Sequence, residues 1–176
     1  MRILIDLPSY VPALPALKNL PGIEVEWVEK PEEKVRTLPT KQIKDCEMLF
    51  CMFPPQNHAE MSTLKLIQIA LAGYKQLVGH KFEERGIRVC NALGVFDVHI
   101  GEWNVAMMVN LARDLRGLIR HQESQVGDRS ARFQEEIRGR VVGLWGYGGI
   151  GRETARLAKS LGMKVHVLSR GSVQPR

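Results

Sequence analysis

The stretch GLWGYGGIGRETARLAKSLGMKVHVLSRG, residues 143–171, decides the fold of the second half of this chain. Gly146, Gly148 and Gly151 form the pattern GxGxxG. A short apolar run typical of a β-strand precedes this pattern, and residues with the spacing of an amphipathic helix follow it. A second apolar run typical of a strand begins after Gly162. This context predicts the first βαβ unit of a Rossmann domain.

Each glycine of the pattern has its own physical role. Gly146 permits a tight turn, Gly148 lets the backbone approach a pyrophosphate, and Gly151 lets the helix pack closely on the strand. Free N–H groups and the dipole at the start of the helix suit phosphate oxygens. We therefore predict that this turn binds the pyrophosphate of a dinucleotide.

We expect strands at 141–145 and 164–168 to be parallel neighbours, with a helix over about 149–161 between them. The second strand normally ends on an acidic residue that binds the adenosine ribose, but here Ser169 and Arg170 stand at that point. A hydroxyl followed by a guanidinium suits a 2′-phosphate. The sequence therefore favours NADP(H) over NAD(H) as the cofactor.

The first half of the chain alternates short apolar runs with helix-like or turn segments, among them TKQIKD with Thr40 as a candidate N-cap. Such alternation predicts an α/β fold, here a flavodoxin-like parallel sheet covered by helices. The predicted strands lie at 2–7, 23–28, 47–53, 64–71 and 87–92.

A longer helix is expected over 100–121, because apolar residues recur at spacings of three and four. These residues are Trp103, Met107, Leu111, Leu115 and Leu118. The resulting division is a substrate domain over 1–98, an inter-domain helix and linker over 99–138, and a truncated Rossmann domain over 139–176.

Composition excludes several classes of protein. No apolar run approaches the ~20 residues of a membrane span, and the start of the chain lacks a signal-peptide layout. Three cysteines without metal spacing predict buried, reduced thiols, no metal site and a cytoplasmic protein. The net charge of +6 is spread along the chain with acids interspersed, so we expect no nucleic-acid binding.

Two stretches resemble the D-isomer-specific 2-hydroxyacid dehydrogenases. GRVVGLWGYGGIGRETARLAKSLGMKVHVLSR (139–170) is similar to the cofactor-binding segment of that family. LKLIQIALAGYKQLVGHKFEERGIRVCNALGVFDVHIGEW (64–103) is similar to the family's strand, glycine loop and "ERGI-V-N" run. The resemblance covers essentially the whole chain and implies hydride transfer between a nicotinamide cofactor and a small 2-keto or 2-hydroxy acid.

The resemblance also assigns site residues. Ala72 and Gly73 match the loop whose backbone N–H groups bind the substrate carboxylate, and Gly149 and Ile150 match the backbone pair that contacts the pyrophosphate. The chain departs from the family in two places: HIGE stands where the family has SVAE, and Lys75 where it often has Asp. Because of these departures, the resemblance does not identify the particular substrate.

No catalytic residue can be matched in this chain, since the family's catalytic Arg, Glu and His all follow the segment present here. We therefore expect a fragment of such an enzyme that is inactive alone and that forms a homodimer through uncovered apolar surface. The alternative is a non-catalytic protein of the same fold, such as a cofactor-sensing corepressor.

Overall fold

The computed structural model describes residues 1–8, 13–127 and 135–171. The chain divides after Leu93 into two compact units, residues 1–93 and 94–176. Each unit is described by itself.

The first unit is built on five short strands, named β1 to β5 in chain order. They are Arg2–Asp6, Glu24–Trp27, Met48–Cys51, Leu66–Ile69 and Arg88–Cys90. The connections contain the helices α1 (Leu14–Lys18) and α2 (Thr40–Ile43). They also contain 3-10 turns at His58–Glu60, Lys75–Leu77 and Phe82–Arg85.

All five strands are parallel, in the spatial order β2-β1-β3-β4-β5. This is the flavodoxin-like order, and it confirms the predicted α/β class and parallel sheet. In the centre of the sheet Leu4 pairs with Leu49, and Leu49 with Ile67. All three are buried, as a sheet covered on both faces requires.

Side chains alternate between two apolar clusters, one on each face of the sheet. The larger cluster contains Leu4, Leu49 and Ile67 together with Phe82. The smaller cluster contains Ile3 and Ile5 with residues of the neighbouring strands and of α1. Burial of these side chains holds the first unit together, at about 1.5–3 kcal/mol for each large apolar side chain.

The second unit contains α3 (Asp97–Ala112), α4 (Leu115–Glu123), β6 (Val141–Trp145), α5 (Gly149–Ser160) and β7 (Lys164–Leu168). β6 and β7 form a parallel pair in which Val141 lies opposite Lys164 and Trp145 opposite Leu168. The predicted strands at 141–145 and 164–168 are confirmed residue for residue. In the described part of the chain, no helix has the length and apolar character needed to cross a membrane.

The prediction of one continuous helix over 100–121 is wrong. α3 ends at Ala112, and α4 begins after Asp114, whose φ of 45° lies in the left-handed region. The Asp114 side chain accepts a hydrogen bond from the Gly117 N–H at 3.1 Å and so caps the new helix. This local cap interrupts a helix that the apolar spacing alone would continue.

Two smaller predictions also fail. Thr40 is the first residue of α2 and not its N-cap, because Pro39 takes the extended cap conformation. The Thr40 hydroxyl instead donates to Glu60 Oε2 at 2.7 Å. Cys46 and Cys51 are buried as expected, and burial raises the pKa of both thiols, but Cys90 on the edge strand β5 is exposed.

Two imidazoles and a guanidinium form a chain of hydrogen bonds beside Phe82. Arg85 Nη1 lies 3.2 Å from His58 Nδ1, and His58 Nε2 lies 2.9 Å from His80 Nδ1. Because a guanidinium has only donors, His58 Nδ1 accepts, and Nε2–H of a neutral His58 donates to His80. Burial, His80 and Arg85 lower the pKa of His58, which agrees with the neutral imidazole that the hydrogen bonds indicate.

The cluster predicts how stability depends on pH. The unfolded chain binds a proton at His58 near pH 6.5, whereas the folded chain does so at a lower pH. The unfolded state therefore holds more protons as pH falls below about 6.5, and the free energy of unfolding decreases there.

We expect NMR titration of the His58 ring to give a pKa below 6.5. His58→Gln should show a smaller loss of stability between pH 7 and pH 5 than the wild type, while His166→Gln, at an exposed position on β7, should keep the full loss. A His58 pKa at or above 6.5 would contradict the hydrogen-bond assignment.

Candidate dinucleotide and carboxylate sites

The glycine turn between β6 and α5 is closed by two short contacts. Gly146 has φ of 101°, a conformation that favours glycine, and its N–H donates to the Leu168 carbonyl at 2.8 Å. A Cβ atom on Gly151 would fall 2.5 Å from the Gly146 carbonyl oxygen. Gly146 and Gly151 thus take the turn and close-packing roles that the sequence predicts.

The opposite side of the turn is open. Gly148 is the N-cap of α5, with φ of −77° and ψ of −161°. No atom of the described residues lies within 4 Å of a Cβ built on it. The first-turn N–H groups of Gly149, Ile150 and Gly151 have no partner four residues back within the helix. The open space at Gly148 and the positive end of the helix dipole next to it suit an anion.

α5 is fixed in the second unit by close packing against α3. Asn104 Nδ2 donates to the buried Thr154 hydroxyl at 3.0 Å. A Cβ on Gly101 would lie 2.9 Å from Glu153 Cγ and 3.3 Å from the Thr154 nitrogen. Because Gly101 has no side chain, α3 and α5 can pack closely. This packing holds the start of α5 in place.

Ser169 and Arg170 follow β7 directly beside the glycine turn, because Gly146 donates to the last residue of that strand. The Ser169 hydroxyl donates to the Gly171 carbonyl at 2.9 Å, which shapes the strand end. Arg170 is exposed and forms no ion pair with any described carboxylate.

In the first unit, Ala72 and Gly73 lie in the loop after β4. Three consecutive carbonyl groups of this loop accept hydrogen bonds: Asn91 Nδ2 donates to Ala72 O at 2.7 Å, Ala92 N to Leu71 O at 3.0 Å, and Gln76 Nε2 to Gly73 O at 3.3 Å. The N–H groups of Ala72 and Gly73 have no acceptor among the described residues. Two adjacent main-chain donors without acceptors form a surface that can bind an anion.

The sequence pattern identified the residues of the glycine turn, but it did not identify two side chains at these sites, Asn91 and Asp97. Asn91 orients the Ala72 loop, and its signal was the asparagine directly after an apolar strand. Asp97 packs against Gly149 from the start of α3. Nothing in the sequence pattern links Asp97 to the turn, because the contact joins two helices far apart in the chain.

Fold and site together define an α/β protein with a flavodoxin-like unit followed by a unit with a Rossmann-type phosphate turn. Residues 105–175 match the family model of the D-isomer specific 2-hydroxyacid dehydrogenase, NAD binding domain. The predicted resemblance to that family is confirmed over this segment of the chain.

Two curated relatives agree with this assignment. A putative 2-hydroxyacid dehydrogenase of Haemophilus influenzae is 28% identical over 154 residues, covering 82% of this chain and 49% of the relative. A hydroxypyruvate reductase of Thermotoga maritima is 32% identical over 103 residues, covering 58% of this chain and 33% of the relative. The chain thus spans half or less of the length of these relatives.

Solved structures share the fold. A D-lactate dehydrogenase of Treponema pallidum superposes with a TM-score of 0.78 at 24% identity, covering 99% of this chain and 55% of that one. A D-lactate dehydrogenase of Aquifex aeolicus, complexed with NAD and lactic acid, gives 0.77 at 19% identity, covering 99% and 53%. At these identities the likeness establishes the architecture alone.

The turn geometry predicts that one of two glycine substitutions lowers the free energy of unfolding and that the other leaves it nearly unchanged. Gly151→Ala should lower the free energy of unfolding by about 1–3 kcal/mol, because the added methyl group meets the Gly146 carbonyl. Gly148→Ala should leave stability nearly unchanged, since that side is open. Thermal unfolding of both variants is the measurement. Helix propensity alone favours Ala by about 1 kcal/mol, so a stabilised Gly151→Ala would contradict the close approach.

Proposed function

We propose that this chain provides the dinucleotide-binding turn and the substrate-carboxylate loop of an NAD(P)-dependent D-2-hydroxyacid dehydrogenase. One observation carries the proposal: Gly148, whose side-chain position is open, directly precedes the first-turn N–H groups of α5, within a segment that matches an NAD-binding domain. In this reaction the nicotinamide donates a hydride to, or accepts one from, C2 of a small 2-keto or 2-hydroxy acid.

The residues present fit such a cofactor at its phosphates. The N–H groups of Gly149 and Ile150 would bind the pyrophosphate, and Gly146, Gly148 and Gly151 allow the close approach. Ser169 and Arg170 would contact the ribose 2′ position and favour NADP(H) over NAD(H). The absence of an ion pair at Arg170 among the described residues supports this preference.

The substrate carboxylate would bind the N–H groups of Ala72 and Gly73. Asn91, Ala92 and Gln76 hold the carbonyls of the loop, so the loop is ordered before a ligand arrives. Ordering a loop in advance lowers the entropic cost of binding. The Thermotoga maritima and Thermococcus litoralis relatives, a hydroxypyruvate reductase and a glyoxylate reductase, support a small 2-keto acid as the substrate class.

We further propose that the domains follow the predicted division at residues 98 and 138, that the protein is cytoplasmic, and that it forms a homodimer. Three free cysteines fit a reducing compartment. Trp145 on β6 is 92% exposed and Leu111 on α3 is 83% exposed, and uncovered apolar surface of this kind favours association. α5 contributes less to such surface, since its Thr154, Ala155 and Ala158 are buried.

The 176-residue chain is expected to bind a nicotinamide dinucleotide weakly and to transfer no hydride, because no acid–base histidine or carbonyl-polarising arginine can be assigned within it. Fluorescence titration with NADPH and NADH tests binding, and NADPH oxidation with glyoxylate or hydroxypyruvate tests turnover. Turnover by a preparation of verified mass would show that a catalytic group within the chain has been overlooked. A lack of binding would remove the proposed cofactor role.

The substrate loop can be tested at Gly73. No described atom lies within 4 Å of a Cβ at this position, so Gly73→Val should fold with an unchanged melting temperature. Its side chain should nevertheless crowd the anion and weaken the binding of hydroxypyruvate strongly. Shifts of the Ala72 and Gly73 amide resonances in an NMR titration report the binding. Equal affinity in the variant and the wild type would remove the loop from the site.

The cofactor preference can be tested at Arg170. Arg170→Ala should weaken NADPH binding by about 1.5–3 kcal/mol, the range for a hydrogen bond to a charged group. NADH has no 2′-phosphate, and its affinity should hardly change, so NADH serves as the internal control. Equal losses for the two cofactors would contradict a role for Arg170 at the 2′ position.

A further inference from the structure

The Asp97 side chain occupies the space beside the first residue of α5. A Cβ built on Gly149 would overlap the Asp97 carboxylate and would lie 2.7 Å from Oδ1. The carboxylate of α3 therefore lies where a side chain at position 149 would otherwise be. Both residues belong to the second unit, and Asp97 is half-buried.

This position places a negative charge at the positive end of a helix. A carboxylate near a helix N-terminus is stabilised by the aligned peptide dipoles. No Lys or Arg of the described residues forms an ion pair with Asp97, which is the first residue of α3 and also lies beside the start of α5. The same end of α5 carries the N–H groups to which the cofactor pyrophosphate is assigned above. Two anions would thus share one helix terminus.

We propose that Asp97 sets the affinity of the glycine turn for the dinucleotide: it stabilises the start of α5 in the free protein and repels the pyrophosphate when the cofactor binds. The inference rests on the proposed cofactor role of the turn. Its consequence is a pair of effects with opposite signs. Removing the charge should strengthen cofactor binding and weaken the ligand-free fold.

Asp97→Asn tests the charge while keeping the shape of the side chain. Titration with NADH and NADPH at low salt should show Kd lowered about three- to tenfold, the scale of one charge at a helix terminus. The gain should shrink in about 0.5 M NaCl, where such interactions are screened. The melting temperature of the free variant should fall. Glu123→Gln, an exposed acid on α4, is the matched control and should change neither quantity.

A second measurement tests the contact without any cofactor. Gly149→Ala should destabilise the wild type, because its methyl group meets the Asp97 carboxylate. In an Asp97→Ala background the same substitution should be much less harmful, which a double-mutant cycle records as coupling. Additive effects of the two substitutions would overturn the placement of Asp97.

The outcomes separate this inference from the function on which it rests. If the wild type and Asp97→Asn bind the cofactor equally well, or the variant binds it more weakly, the role of Asp97 is overturned and the proposed function stands. If neither protein binds NADH or NADPH, the cofactor role of the turn fails, and the affinity role of Asp97 fails with it.

Discussion

A Cβ atom at position 151 would fall 2.5 Å from the carbonyl oxygen of Gly146, so only glycine lets α5 begin this close to the turn. The remaining geometry of the second unit depends on this contact. α5 begins at Gly149, directly after Gly148, whose side-chain position is open. The N–H of Gly146 bonds to Leu168 at the same time, which brings the end of β7 beside the turn. The start of α5 and the end of β7 are therefore brought together by the backbone of one turn.

The packing of α3 against α5 adds a second constraint to the same helix. Gly101 permits the approach, and the hydrogen bond from Asn104 to Thr154 fixes the rotation of the two helices. A buried hydrogen bond of this kind is directional, whereas apolar contact alone would allow sliding. Because α3 packs against α5, the Asp97 side chain of α3 lies beside the first residue of α5.

Local patterns predicted the sheets well, since the strands 141–145 and 164–168 are bounded by glycines and by polar residues that end an apolar run. The parallel order of the first unit followed from alternation of strands and helices. The break at Asp114 was missed because apolar residues keep helical spacing from Trp103 to Leu118, while the break depends on a single side-chain cap to Gly117. The contact of Asp97 with Gly149 is long-range, and no local pattern encodes such a contact.

The two candidate sites use the same chemistry. At Ala72 and Gly73 and at the start of α5, the donors are main-chain N–H groups, kept available because neighbouring carbonyls are engaged or because a helix begins. Main-chain donors recognise negative charge and are insensitive to which side chains surround them. Under the proposed function, the departures from the family at Lys75 and at HIGE would therefore leave anion binding intact. Selection among anions would fall to a few side chains beside these donors, and Arg170 and Asp97 differ there in sign. Arg170 would attract a further phosphate, and Asp97 would limit how tightly the pyrophosphate is held.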